Sequence, residues 1–464
     1  TETCNLRIKE LFDMTTVKKF TAIALATLMF SLSACGNSSD KNSESSSESS
    51  ISSESSANTD SGLEPSSDKE SESSSAEITP SGAVKKYPDA KKVTLNGNYT
   101  QNEYILKNSL LGTGNKERMQ NVLDKAASGE PITVAFIGGS ITSGYKVSNS
   151  ECFAALYRDW LSEQFGIKVN YVNAGISGTP SVLGNLRVER DVLKYDPDLV
   201  FIEFAVNDGY EDVYKNSYES LINKVLEYKT EPAVMLLFTI TREGHTCQPW
   251  MSEIGKHYEL PMVSVPDSIM AEVKAGNITY DDYSNDETHP NKQGHIWIRE
   301  LLSYCTEQIY NSDFETKHYT IPEKPYYKRY YKDLQLYTYK TLNVDSYGTF
   351  RSSKRNIDFF PDGMSYDYSA TGENDPLVFT ADCRILMIVY RQVPKSSDKY
   401  GAINVYVDDE LVQTIYAQDA SGWNNAMFNV AYETVTSKEH TIKICAKEGY
   451  EEKQFDILGI AYSK

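Results

Sequence analysis

Basic residues are scarce in this 464-residue chain: 46 Lys and Arg stand against 65 Asp and Glu, a formal net charge of −19. Such an excess of negative charge gives no electrostatic footprint for nucleic acid or anionic headgroups. Cysteine is sparse too. The seven, Cys4, Cys35, Cys152, Cys247, Cys305, Cys383 and Cys445, include no CxxC pair, so zinc-ribbon and redox spacings are excluded. Cys383 and Cys445 could pair or remain buried thiols. No apolar run reaches the roughly 20 residues needed to span a bilayer. Around the glycine pair Gly138 and Gly139 there is no GxGxxG spacing and no GK[ST] ending, which disfavours dinucleotide and nucleotide cradles. Nor does a GxSxG elbow surround Ser140.

The N-terminus has the anatomy of an address. Met14 is followed by Lys18 and Lys19, the 13-residue apolar run "FTAIALATLMFSL", and "SAC". A charged region, a short apolar core and small residues describe a secretory signal. Residues 1–13 fit no signal, so translation is expected to begin at Met14. Leu32, Ser33, Ala34 and Cys35 resemble a bacterial lipobox. That resemblance implies lipid attachment at Cys35, a leader over residues 1–35, and a protein held on the outer face of a bacterial membrane through its lipid anchor only. Each buried methylene contributes about 0.8 kcal/mol to such anchoring. Residues 36–85 follow as a Ser/Glu-rich linker. Within residues 36–80 there are 10 Asp and Glu and 2 Lys, too little apolar area to offset chain entropy, which predicts an extended tether.

Residues 90–315 alternate two textures. "ITVAFIGG" (132–139), "VNYVNAG" (169–175), "DLVFIEFAVN" (198–207), "AVMLLFTI" (233–240) and "PMVSVP" (261–266) are near-continuous apolar runs, as strands covered on both faces require. Helix-period stretches lie between them, ending with "NKQGHIWIRELLSYCTEQIY". Repeated βα units predict a three-layer α/β/α, flavodoxin-like domain with a parallel sheet. From residue 325 to 464 the pattern alternates in twos, with a hairpin expected at Asp408 and Asp409, predicting an all-β sandwich domain of jelly-roll type. The Tyr-rich stretch 326–339 suits either a sugar-stacking platform or an interdomain seam.

In an open parallel sheet the carboxyl ends of the strands line one crevice. Those ends hold Gly138, Gly139 and Ser140, then "NAGISGT" with Asn173, Gly175 and Gly178, then Asn207 and Asp208, and finally "DETHPN" with Asp286 and His289. A serine at a strand-to-helix turn can expose its hydroxyl, and becomes a nucleophile once a base takes its proton. His289 is the candidate base, with Asp286 three residues earlier to hold the second ring nitrogen. Asp281 and Asp282 compete for that role less well. Pro290 suits the first position of the helix that follows. The N–H groups of Ser140 and Gly175 and the amide of Asn207 are donors of the kind an oxyanion needs. Asp208 reads as a cap for the segment after the third strand, His295 and Trp297 as packing, and His245 as a loop residue.

"GGSIT", "NAGISGT", "AVND" and "DETHP" together resemble, in order and setting, the conserved blocks of the SGNH (GDSL-type) hydrolases, over residues 130–310. The resemblance implies Ser140 as nucleophile, His289 as general base and acid, and Asp286 as its orienting partner. It also implies an oxyanion hole from Ser140, Gly175 and Asn207, with no metal or organic cofactor. Gly139 stands where that family has its eponymous Asp. "GGSIT" is similar to secreted bacterial carbohydrate esterases, which implies an acylated polysaccharide or oligosaccharide substrate losing acetyl groups. Lysophospholipase or thioesterase chemistry, and a catalytically inactive glycan-binding lipoprotein, are the alternatives. A histidine base predicts a rate that climbs with pH through about 6.5, the reference value for imidazole.

Overall fold

Five of the apolar runs become five adjacent parallel strands. The computed structural model describes residues 82–463, apart from 313–315, 329, 354–356 and 358, together with the two-residue strand Glu77–Ile78. The leader, with Met14 and Cys35, and most of the expected linker lie outside the described residues. At the linker's end, Gly82 bridges to Lys317, and the Val84 N–H donates to the Glu117 carboxylate at 2.6 Å.

The α/β domain contains strands β1 (Leu110–Gly112), β2 (Ile132–Gly138), β3 (Val169–Gly175), β4 (Leu199–Glu203), β5 (Ala233–Phe238) and β6 (Met262–Ser264). Their order across the sheet is β1-β6-β5-β4-β2-β3. All neighbours from β6 to β3 pair in parallel, while β1 runs antiparallel at the edge. This three-residue edge strand has no apolar run to announce it. Beside β2 the chain first goes one way, to β3, and then crosses to β4, so the switch in strand order opens a crevice at the end of β2.

Successive side chains on a strand face opposite ways, and both faces are covered here. Val134 and Phe136 point into a core shared with α1 (Glu117–Ala127), α3 (Phe153–Phe165) and α7 (Lys292–Tyr310). Ala135 and Ile137 point into a second core with α4 (Ser181–Asp191), α5 (Asp212–Leu226) and α6 (Gln248–His257). A single turn, α2 (Ser140–Ser143), follows β2.

The C-terminal domain is β-rich: β7 (Gln335–Tyr337), β8 (Phe350–Ser352), β9 (Met364–Tyr366), β10 (Leu377–Pro394), β11 (Ala402–Val407), β12 (Glu410–Tyr416), β13 (Asn425–Ala446) and β14 (Phe455–Ser463). These form a ladder β8-β9-β14-β10-β13-β11-β12, with β7 on β14. Among the described residues the two layers share strands. The 18-residue β10 and 22-residue β13 run through both halves, with a register break between Cys383 and Ile385. The expected hairpin is present, with Asp408 and Asp409 at φ 52° and 67° joining β11 to β12, the left-handed pair of a type I′ turn. Cys152, Cys247, Cys305, Cys383 and Cys445 are all free thiols.

A seam joins the two domains. Burial alternates along β10 from 377 to 384 and then becomes continuous from 385 to 390. Leu386, Ile388 and Tyr390 face the β core, whereas Ile385, Met387 and Val389 meet Val182, Leu183 and Leu186 of the α/β domain. The run "ILMIVY" therefore carries no polar alternation because neither face is wet. The Tyr-rich connector lies in this seam. Glu219, fully buried, accepts the N–H groups of Tyr326 and Tyr327 at 2.5 and 2.9 Å, and Asn185 donates to the Tyr331 carbonyl.

Met387 has no exposed area, so Met387→Ala should cost about 2–5 kcal/mol of unfolding free energy. Urea denaturation of the two proteins measures this; a change below about 0.5 kcal/mol, typical of surface positions, would contradict the seam.

Candidate active site

Ser140 opens α2 directly beyond β2, at the switch point of the sheet. The residue before it has to be small. A Cβ built on Gly139 would lie 2.1 Å from the Asn207 carboxamide oxygen, and one on Gly138 would lie 2.1 Å from Thr142 Oγ1. A side chain at position 139 would therefore collide with the Asn207 carboxamide.

Behind the turn, Glu203 at the end of β4 is 1% exposed. It accepts from Thr142 Oγ1 at 2.8 Å and Thr239 Oγ1 at 2.7 Å, and from the Gly139 and Thr142 N–H groups. Burial pushes its carboxyl up, while these donors pull it down. Arg187 of α4, wholly buried, ties two strand ends together by donating to the Gly138 carbonyl at 3.2 Å and the Ala174 carbonyl at 2.6 Å. Asp208 accepts the Ser181 N–H at 2.7 Å and its hydroxyl at 2.5 Å. It therefore caps α4, the helix after β3, and not the segment after β4. Burial pushes the Asp208 carboxyl up to about 8.

Across the crevice, residues 284–290 carry the imidazole. Asp286 Oδ1 accepts the N–H groups of Thr288 and His289 at 2.7 and 2.6 Å, and Ser284 Oγ donates to the His289 carbonyl at 2.6 Å. Pro290 precedes the cap rather than opening the helix: Asn291 caps α7 by accepting from the Gly294 N–H. The result brings together three expected residues. His289 Nε2 lies 2.9 Å from Ser140 Oγ, and His289 Nδ1 lies 2.9 Å from Asp286 Oδ2. Burial opposes ionisation of Asp286. The Lys146 ammonium and the N–H donors outweigh it and hold the carboxyl well below the usual range. The rival carboxylates are occupied, Asp282 in a capping box with Thr279 and Asp281 with Arg242.

Gly175 does not fit its expected part. Its N–H already donates to Asn173 Oδ1 at 2.9 Å. In the same loop the Ile176 N–H is used by the Gly138 carbonyl and the Thr179 N–H by the Ile176 carbonyl. A backbone inventory leaves Ser177 and Gly178, whose N–H groups have no partner among the described residues. Gly178 sits in this loop at φ 70°. Asn207 contributes a carboxamide whose oxygen is buried and without a partner.

Three further neighbours were not foreseen. The Tyr145 ring lies 4.7 Å from the His289 ring, and Lys146 reaches Asp286. Trp423, from the β-rich domain and 54% exposed, covers the loop after β3 so closely that a Cβ on Gly178 would stand 2.6 Å from the indole. Nothing near Trp423 in sequence marks it. His295 and Trp297 are core residues and His245 is an exposed loop residue.

A hydroxyl on an imidazole whose far nitrogen is held by a carboxylate can be relieved of its proton and attack a carbonyl. Fold and site together resemble those of SGNH-type hydrolases, an ester-hydrolysing class. Residues 136–296 match the model of the GDSL-like Lipase/Acylhydrolase family. Among characterised proteins, thioesterase 1/protease 1/lysophospholipase L1 of Escherichia coli strain K12 is 26% identical over 190 residues, 39% of this chain and 86% of that protein. Among solved structures, a two-domain esterase (CEX) active on acetylated mannans superposes with a TM-score of 0.70 at 26% identity, covering 77% of this chain and 98% of its own. The same esterase co-crystallised with mannopentaose gives 0.68 at 27%.

Burial, and then the charge of His289, lower the His295 pKa to about 4. The unfolded chain therefore binds a proton at this position that the native state refuses. Stability should fall as pH drops from about 6.5 toward 4, by at most about 3 kcal/mol from this group. Urea midpoints of the wild type and His295→Gln across that window test it, the variant showing the shallower fall.

Proposed function

We propose that this chain is a serine esterase that removes small acyl groups, acetyl foremost, from a polysaccharide through an acyl-serine intermediate. The observation that carries the chemistry is the unbroken chain of contacts from Ser140 Oγ to His289 to Asp286, 2.9 Å at each step. Ser140 Oγ attacks the ester carbonyl while His289 Nε2 takes its proton. Asp286 fixes the ring and stabilises the imidazolium. The negative oxygen is met by the N–H of Ser140, the amide of Asn207 and the N–H of Gly178, in place of Gly175. His289 then returns its proton to the departing sugar hydroxyl, and a water deprotonated by the same ring releases the acid.

The polysaccharide reading is supported by the likeness to the mannan-active esterase, which extends over both domains. Three exposed aromatic rings close to these strand ends support it as well: Tyr145, Tyr210 and Trp423, since flat apolar faces suit sugar rings. Lipidation of Cys35 on the outer face of a bacterial membrane, with residues 36–85 as tether, completes the proposal and rests on the residues at 32–35.

Ser140→Ala should lower acetate release from acetylated mannan by about 10⁶-fold, as loss of a triad nucleophile does; wild-type turnover in that variant refutes the assignment. Acetylated xylan and pectin, a lysophospholipid and an acyl thioester complete the substrate panel. A preference for either of the last two would move the reading toward the Escherichia coli relative, and mannan binding without any hydrolysis toward an inactive lectin. Gly139→Ala should push Asn207 out of place and lower kcat by roughly 10²–10³, with thermal stability little changed.

A further inference from the structure

The carboxylate of Asp286 is shared. Its Oδ2 accepts His289 Nδ1 at 2.9 Å and also Lys146 Nζ at 2.6 Å. A carboxylate in this position serves by stabilising the imidazolium, and a cation on the same oxygen works against that. The backbone is bent to bring the lysine there. Gly144 ends α2 at φ 79° and Lys146 follows at φ 72°, a region that side chains rarely adopt. Such outliers persist where the surroundings hold them, often beside reacting groups. Here the Tyr145 N–H donates to the Ser140 carbonyl at 3.0 Å and the Val147 N–H to the Gly144 carbonyl at 3.1 Å. The turn therefore starts on the nucleophile itself and delivers Tyr145 to the imidazole and Lys146 to the carboxylate.

We propose that Lys146 is a positioning residue that sets the pH range of catalysis: by occupying Asp286 Oδ2 it weakens the hold of the carboxylate on the imidazolium, so that the enzyme works in more acidic surroundings. This rests on the roles given to Ser140, His289 and Asp286 above. The other groups facing the pair do not supply that effect. On the α2 side stand the Tyr145 ring and the Ser140 hydroxyl. From α7 comes His295, buried and neutral above about 4. From the turn Tyr280–Tyr283 comes Tyr280, whose hydroxyl burial pushes up to about 12. From the loop after β5 comes Arg242, committed to Asp281 and Glu287. Lys146 is the one cation within hydrogen-bond distance of Asp286 among the described residues.

The test is the pH dependence of kcat/KM for the wild type, Lys146→Met and Lys146→Arg, with Ser140→Ala as control. In Lys146→Met the acidic limb should move up by about half a pH unit or more, the plateau staying within about threefold. Lys146→Arg should keep the wild-type limb. The Lys146 side chain is half exposed, so about 1 M NaCl should raise the wild-type limb and leave that of Lys146→Met in place. A Lys146→Met limb within about 0.2 unit of wild type, or one moved downward, overturns the proposal. So does a lowered plateau with an unmoved limb, which would make Lys146 only a tether. Activity in Ser140→Ala would instead sink the triad reading beneath it.

Discussion

A hydrogen bond of 2.9 Å between residues 149 positions apart, Ser140 Oγ and His289 Nε2, is what the remainder of the molecule has to maintain. Neither partner sits on a long element. One lies on a single helical turn, the other on an eight-residue stretch between a short turn and α7. Each is fixed by bonds to buried or ordered groups instead: the Ser140 turn by Glu203 beneath it, the imidazole by Asp286 and Ser284. Fixing donors and acceptors before substrate arrives is the main source of electrostatic catalysis in such sites. The buried carboxylates around this crevice are in that sense part of the scaffold for the reaction.

Much of this was readable from residue order. Five strands covered on both faces show as unbroken apolar runs, and groups at their carboxyl ends must share a crevice, so Ser140, Asn207 and His289 could be brought together without coordinates. Asp286 could be preferred over Asp281 and Asp282 because a spacing of three suits a side chain that must meet its own neighbour's ring. What escaped has physical reasons. Gly175 and Gly178 look equivalent until the backbone inventory shows which N–H is already engaged. β1 is too short and too glycine-rich to register. Trp423 is distant in sequence and owes its place to tertiary packing alone. Lys146 looks like any surface lysine unless its backbone conformation is known.

The double role of "ILMIVY" in β10 teaches a related lesson. Unbroken hydrophobicity in a β-rich region signals a second covered face, and here that face belongs to another domain. The Tyr-rich connector is tied to the α/β domain by Glu219, whose buried carboxylate accepts two of its amides, while the rings of Tyr326 and Tyr330 stay exposed.

α4 has an unusual position in this architecture. Its start is capped by the neighbour of Asn207, its middle supplies Arg187 to the ends of β2 and β3, and its outer apolar stripe lies against the β-rich domain. One helix is thus mortar for both halves. The C-terminal module is therefore more than an appendage: cutting it away would strand a greasy strip, Val182, Leu183 and Leu186, on the very helix whose Arg187 ties the strand ends together.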